Sequence, residues 1–395
     1  MKVDYDKESV ELHSRLHGKL GVRSKVSLTS KHDLSLAYTP GVGQVCVEIA
    51  KAPERVFELT IKRNTVAVVS DGSAILGIGN LGAAAAIPVM EGKAVLFKEF
   101  AGVDAFPICV DTQNVDEIVS IVRAIAPVFG GINLEDISAP RCFEVEARLQ
   151  DLGIPVFHDD QHGTAIVAVA ALLNAFKVSR KSPGECTIVF SGSGASAIAC
   201  AKLIQSFGKL GHMAEVGDII LCDSKGIVHR DRSDLNRQKR ELAETTNKHG
   251  RGGSLTDALR GADVFIGLSQ ANIVTQDMVR SMKPQPIIFA MANPVPEIMP
   301  HLARGAGAVV VATGRSDFLN QINNVLAFPG IFRGALDAGA KVINEEMKVA
   351  AARTLAEIVI EPVPERILPD PLDKTVGTRI AEAVAAAARR SGVCR

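Results

Sequence analysis

Two acidic pairs stand close together in this chain: Glu135-Asp136 within GGINLEDISAP and Asp159-Asp160 within IPVFHDDQHGTA. Each pair follows a short apolar run that reads as a β-strand, and strand ends are where α/β proteins place their chemistry. Carboxylates gathered at neighbouring strand ends repel one another unless a cation sits among them. Hard oxygen ligands of this kind suit Mg²⁺ or Mn²⁺. His158 and His162 bracket the second pair. They would suit a softer transition metal, but hydrogen bonding around the acids is the preferred reading.

Two glycine motifs compete for a dinucleotide. Gly77-Ile78-Gly79-Asn80-Leu81-Gly82 fits GxGxxG, and Gly192-Ser193-Gly194-Ala195-Ser196-Ala197 fits GxGxxA. Glycines let the backbone approach a pyrophosphate, and the following helix N-terminus receives its charge. The second motif runs directly out of an apolar strand. The next strand, 219–222, ends in Asp223, where a ribose-binding acid belongs, with Ser224 and Lys225 beside it. The Gly192–Asp223 separation exceeds the usual spacing of about 20 residues, which an inserted loop over 208–217 would explain. The first motif lies farther from its strand, although a run at 94–97 reads as a following strand and leads to Glu99. The second loop is therefore favoured for the dinucleotide, and the first, with Gly77, as a backbone wall beside the substrate.

The elements that must position these residues follow a βαβ alternation. Short β-branched or apolar runs at 65–69, 94–97, 105–110, 131–134 and 154–157 alternate with amphipathic helices, clearest at 115–126 and 141–152. A second series of strands is expected at 187–190, 219–222, 264–267, 286–290 and 308–312. An Ala-rich helix over 163–176, apolar all round, reads as buried between two units. The pattern predicts an α/β chain of two domains with mostly parallel sheets: a substrate and metal domain over 1–161, then a Rossmann-like dinucleotide domain over 162–395. Ala-rich helices at 345–360 and 373–390 close the chain, and those beyond about 361 are expected to pack back on the first domain. The charged run 231–253 reads as a solvated helix and loop.

Composition narrows the class. The chain has 395 residues, enough for two or three domains. Lys+Arg and Asp+Glu are 44 each, so nothing favours nucleic acid or a polybasic membrane contact. The opening MKVDYDKESVEL is charged throughout and reads as carrying no secretory signal. Seven cysteines without a CxxC suit a reducing compartment, with the cytoplasm as the expected location.

Taken together, AYTPGVG, TVAVVSDGSAILGIGNLG, GGINLEDISAPRCFE, IPVFHDDQHGTAI, MANPVPEI and INNVLAFPGIFRGAL resemble the malic enzymes, in particular their compact bacterial and archaeal type. The resemblance spans residues 31 to 340 or so. It implies oxidative decarboxylation of (S)-malate to pyruvate and CO₂ with NADP⁺ or NAD⁺, dependent on Mg²⁺ or Mn²⁺. By similarity Glu135, Asp136 and Asp160 are the metal ligands, and Asp159 supports the cofactor or a neighbouring side chain. Lys93 matches the general base, although Lys98 competes on local grounds alone. An ordinary lysine titrates near about 10.4, so Lys93 is expected to be depressed by burial and a nearby cation. Tyr38 matches the general acid. Asn293 and Asn324, with Asn323 as alternate, match residues at the substrate carboxylate and nicotinamide. Gly192, Gly194, Ala195, Ser196, Ala197, Asp223, Ser224 and Lys225 form the expected cofactor surface, with NADP⁺ slightly favoured.

The larger eukaryotic malic enzymes carry an arginine where this chain has Ala74, so the resemblance leaves the carboxylate clamp open. The resemblance also implies a homodimer or larger homo-oligomer, with the N-terminal sixty residues as the interface candidate. Competing readings are a metal-independent amino-acid or folate-type dehydrogenase and an inert nucleotide-binding protein.

Overall fold

The computed structural model describes residues 4–75 and 78–395. Four helices open the chain, α1 (Tyr5–Leu16), α2 (Lys31–Ala37), α3 (Val42–Lys51) and α4 (Val56–Leu59), and none of them contributes a buried residue. The first α/β series runs β1 (Thr65–Ser70), α5 (Ala83–Ala101), β2 (Asp104–Cys109), α6 (Val115–Ile125), β3 (Gly131–Leu134), α7 (Arg141–Leu149) and β4 (Val156–His158). Helix α8 (Asp159–Ser179) leads into the second series. That series comprises β5 (Thr187–Ser191), α9 (Ala195–Lys209), β6 (Asp218–Asp223), β7 (Gly226–Ile227), α10 (Arg237–Ala243), α11 (Leu255–Leu259), β8 (Val264–Gly267), α12 (Gln276–Arg280), β9 (Ile287–Ala290), α13 (Pro300–Gly305) and β10 (Val310–Thr313). Helices α14 (Phe328–Ala338), α15 (Glu345–Ile358) and α16 (Lys374–Arg390) follow.

The strands form two sheets. One is all parallel in the order β2-β1-β3-β4. The other is ordered β10-β9-β8-β5-β6-β7 and is parallel except for β7. Strand β1 is buried at all six positions, as a parallel strand covered on both faces must be. Each sheet reverses its winding direction once, between β1 and β3 in the first and between β5 and β8 in the second. Crevices outside the carboxyl ends of strands at such reversals are where open α/β sheets bind ligands.

The expected run at 94–97 is not a strand. It lies inside α5, whose buried residues Ala86, Met90, Ala94 and Phe97 recur at helical spacing. A four-residue apolar run cannot by itself be told from a buried stretch of helix, and here the longer period wins. Helix α8 also begins earlier than expected, so Asp159 and Asp160 occupy its first turn. It is the one helix among the described residues long and apolar enough to cross a membrane, and most of it is buried inside the protein. The last helices return to the first sheet's side. Lys374 pairs with Glu99 at 2.8 Å, the backbone of Gly377 lies against the Phe100 carbonyl, and the Arg395 guanidinium sits 3.5 Å above the Phe57 ring.

Candidate active site

The carboxyl ends of β3 and β4 bring the acidic pairs together. Strand β3 stops at Leu134, and Asp136 then adopts the left-handed conformation (φ 53°), which aspartate tolerates better than most residues. This turn lets Glu135 and Asp136 converge instead of pointing to opposite faces. The backbone N–H of Asp136 donates to Asp160 Oδ2 at 2.8 Å. Glu135, Asp136 and Asp160 each offer a carboxylate oxygen, all within 4.8 Å of one another. The loop after β1 packs on the same turn, with Ala74 N–H donating to the Asp136 carbonyl at 2.9 Å.

Lys93, in the middle of α5, reaches this cluster from the side. Its ammonium lies 2.6 Å from Asp159 Oδ2 and 2.9 Å from Glu135 Oε1, and 4.3 Å from the centre of the Phe328 ring. Two carboxylates of the acidic group thus contact one ammonium in a largely buried space. Burial raises the Glu135 pKa well above the usual carboxylate range; Lys93 opposes that, and the neighbouring Asp160, Asp159 and Asp136 reinforce it. Burial likewise raises Asp159, with Lys93 opposing and Asp160 adding to the effect. For Lys93 burial alone would lower the pKa, but Asp159 and Glu135 outweigh it and hold the ammonium above the ordinary lysine range. The expected depression is therefore reversed in this arrangement, because two carboxylates are in direct contact with the ammonium.

Asn324 completes the cluster. Its Nδ2 donates to Asp159 Oδ2 at 3.1 Å, while Thr164 Oγ1 donates to its Oδ1 at 3.1 Å. The alternate, Asn323, caps the following short helix through Val325 N–H. Lys98 is turned outward onto Asp104 at 2.7 Å. His162 contacts Glu146 at 2.9 Å instead of the acid cluster, and the buried His158 ring comes no nearer to Asp160 than 3.8 Å. Tyr38 is 67% exposed on the loop that closes α2, outside the cluster. Gly77 falls outside the described residues.

The glycine loops also separate. With 94–97 in a helix, Glu99 pairs with Lys374, and β2, the strand that does follow the first motif, ends in Cys109 instead of an acid. The second motif lies at the β5/β8 reversal. Gly192 has φ 105°, and a Cβ there would press on the Leu268 carbonyl at 2.6 Å. Gly194 caps α9, Ala195 opens it, and Ala197 is buried in its first turn. Ser196 Oγ donates to the Asp160 carbonyl at 2.7 Å, so the glycine loop is bonded directly to the acidic turn. Asn293 lies exposed on the loop after β9, beside Gly314.

Asp223 ends β6 as expected, but its surroundings were not legible in the sequence. Arg232 donates to both carboxylate oxygens, at 2.8 and 3.0 Å, and Lys239 donates to Oδ2 at 2.9 Å. Lys225 N–H adds a bond at 3.0 Å, while its ammonium pairs with Asp234 at 2.9 Å; Ser224 is exposed beside them. Burial works against the charge, but these donors hold the Asp223 pKa down at about 2. Arg232 and Lys239 lie in the charged run read as a solvated helix. A cluster of cations soon after a candidate ribose acid was the available signal.

Comparison with known proteins identifies the family and the fold. The family model for the malic enzyme N-terminal domain matches residues 17–150, and that for the malic enzyme NAD binding domain matches 161–389. The chain is 55% identical to the bifunctional malic/malolactic enzyme of Bacillus subtilis over 98% of its own length and 94% of the relative's. It is 55% identical to the NAD-dependent malic enzyme of Geobacillus stearothermophilus over 96% of this chain and 78% of that one. The crystal structure of malic enzyme from Pyrococcus horikoshii superimposes with a TM-score of 0.93 at 46% identity, covering 99% of this chain and 92% of that one. Curated relatives include both NAD- and NADP-dependent malic enzymes. With both halves matched in chain order at this level of identity, the chain belongs to the malic enzyme family of NAD(P)-dependent oxidoreductases.

Proposed function

We propose that this protein catalyses the oxidative decarboxylation of (S)-malate to pyruvate and CO₂, with reduction of NADP⁺ or NAD⁺ and dependence on Mg²⁺ or Mn²⁺. The observation that carries this reading is the buried cluster of Glu135, Asp136, Asp159 and Asp160 around Lys93, bonded through Ser196 to a dinucleotide-type glycine loop.

Glu135, Asp136 and Asp160 fit a hard divalent cation, since each offers a carboxylate oxygen and the three lie within 4.8 Å of one another. When bound, such a cation would supply charge stabilisation for the malate hydroxyl and for the ketone formed from it. Lys93 is the general base that takes the C2 hydroxyl proton as hydride leaves C2 for the nicotinamide. Were Glu135 to hold a cation, Asp159 would be the remaining carboxylate partner of Lys93, and the ammonium would give up its proton more readily. Asn324 orients Asp159 and, with Asn293 and the backbone around Gly77, lines the substrate. After CO₂ is lost from C4, Tyr38 protonates C3 to give pyruvate.

The cofactor surface comprises Gly192, Gly194, Ala195, Ser196, Ala197, Asp223, Ser224 and Lys225, to which we add Arg232 and Lys239. Asp223 already accepts four hydrogen bonds and has no lone pair to spare for a ribose 2′-hydroxyl. The cations around it suit a 2′-phosphate, so NADP⁺ is the preferred cofactor, with NAD⁺ also used.

We divide the chain into a substrate and metal domain (1–161) and a Rossmann-like domain (162–395). The ion pair of Lys374 with Glu99 supports the return of the last helices to the first domain. We place the protein in the cytoplasm, which suits seven free cysteines, and assign it a homodimer or larger assembly. Helices α1–α4 bury none of their own residues, and Leu16, Leu34, Leu36 and Tyr38 are exposed on that segment. Tyr38 reaches the cleft by movement of this segment or from a second copy.

Initial rates with malate and NADP⁺ or NAD⁺, with and without Mn²⁺, test the proposal. Mn²⁺-dependent pyruvate formation, lost in Lys93→Ala with the fold intact, is expected. Activity that survives EDTA would favour the metal-independent dehydrogenase reading. No pyruvate under any condition would overturn the assignment.

A further inference from the structure

Glu297 is fully buried, and no cation pairs with it among the described residues. It lies on the loop after β9, four residues beyond Asn293. Its Oε1 accepts the backbone N–H of Ser269 at 2.9 Å, and its Oε2 accepts that of Ala292 at 3.0 Å. Ser269 follows β8 and Ala292 follows β9, so one carboxylate spans the loops at two adjacent strand ends. Gly267, the last residue of β8, has no room for a side chain, because a Cβ there would fall on the Glu297 carboxylate.

The contacts continue toward the glycine loop. Ser269 and Ser191 share a hydroxyl–hydroxyl bond of 2.7 Å, and Leu268 N–H donates to the Ser191 carbonyl at 2.8 Å. Gly192 follows immediately, with the Leu268 carbonyl filling the space its side chain would need. On the other side Ala292 is covalently joined to Asn293. Glu297 is thus bonded directly to the loops after β8 and β9, and through Ser269 to the end of β5 at the β5/β8 crevice.

Burying an unpaired carboxylate is expensive, and apolar packing would hold a loop at lower cost. What a carboxylate offers is two acceptors with no donor. Two converging backbone N–H groups can both be satisfied by it. A glutamine in the same place would present its NH₂ to one of them.

We infer that Glu297 is a positioning residue for the dinucleotide, holding the loops after β8 and β9 in register so that the Gly192 turn and Asn293 are set before the cofactor arrives. This deepens the proposed function and rests on the reading of this crevice as the NAD(P) site.

The test is NADPH binding, followed by the cofactor's own fluorescence, which requires no turnover. In Glu297→Gln the NADPH dissociation constant is expected to rise by about tenfold or more, the factor matching one lost hydrogen bond to a charged acceptor. KM for NADP⁺ should rise with it, while Mn²⁺ binding by electron paramagnetic resonance stays at the wild-type value. Unchanged NADPH affinity in a folded variant would overturn the inference. Should the variant fail to fold, hydrogen exchange of the wild-type protein decides. Peptides containing the Ser269 and Ala292 amides are expected to be protected without cofactor, and protection that arises only when NADPH is added would overturn the inference. A wild-type protein that binds no NADPH at all would overturn the proposed function and the positioning role together.

Discussion

The cations around Asp223 give the most discriminating prediction. In the present arrangement Arg232 forks onto both oxygens of Asp223, and Lys239 bonds to Oδ2. A hydrogen bond to a charged group is worth about 1.5–3 kcal/mol. The Lys239 side chain is 22% exposed, so the lower end applies, and Lys239→Ala should cost NADP⁺ about tenfold in kcat/KM. Arg232 is more buried and carries two such bonds, so Arg232→Ala should cost NADP⁺ about a hundredfold. The effect on NAD⁺ should differ in sign. Releasing Asp223 from its donors returns lone pairs to the carboxylate, which can then accept the ribose 2′-hydroxyl. NAD⁺ kcat/KM should therefore hold or rise, and the NADP⁺/NAD⁺ ratio should fall in both variants. The assay is the initial rate of reduced-cofactor formation at saturating malate and Mn²⁺. A ratio that moves by less than about twofold in both variants, under ~0.4 kcal/mol, would refute the role assigned to these side chains.

Other perturbations probe the acid cluster and the scaffold. Asp160→Asn should weaken Mn²⁺ binding, read by electron paramagnetic resonance, by more than the about 10–100-fold typical of losing an outer partner; wild-type affinity would exclude Asp160 as a ligand. In Gly163→Ala the new methyl would fall on Asp159 Oδ1, one turn earlier in α8. Pyruvate formation should drop by about tenfold or more, with circular dichroism unchanged, since Lys93 and Asn324 share the displaced carboxylate. Full activity would show that the Asp159 position is not critical. Lys62 is buried beneath Phe57 and donates to the Ala126 and Phe129 carbonyls. Burial, with Arg395 adding to it, lowers its pKa from 10.5 to about 8. Between those values the unfolded chain binds more protons than the native one, so this lysine makes stability rise with pH across that window. Urea unfolding at pH 8 and at a pH near 10 should show a rise in wild type relative to Lys62→Met, and parallel behaviour would contradict the shift.

Much of this was readable from residues alone. The strands β1, β3, β5, β6, β8 and β9 follow from short apolar runs, because parallel strands buried on both faces need such runs. The acidic pairs, the second glycine loop and Asp223 follow from residue types at strand ends. The helical period of Ala86, Met90, Ala94 and Phe97 was obscured by its own apolar run, and that misplaced Lys93 before a strand. The choice between the glycine loops changed character for the same reason, since Glu99 is a helix residue paired with Lys374.

Which groups could do chemistry was therefore determined by the sequence, through residue type and local period. Which of them meet was decided only by the tertiary structure. Lys93 and Asp159 are 66 residues apart and touch at 2.6 Å, and Asn324 arrives from 165 residues beyond Asp159. Arg232 and Lys239 turn onto Asp223 from a stretch that locally resembles any solvated helix. Local propensity carries no information about such encounters. Nor does it set the sign of the Lys93 shift, which depends on the carboxylates that packing places against a buried ammonium.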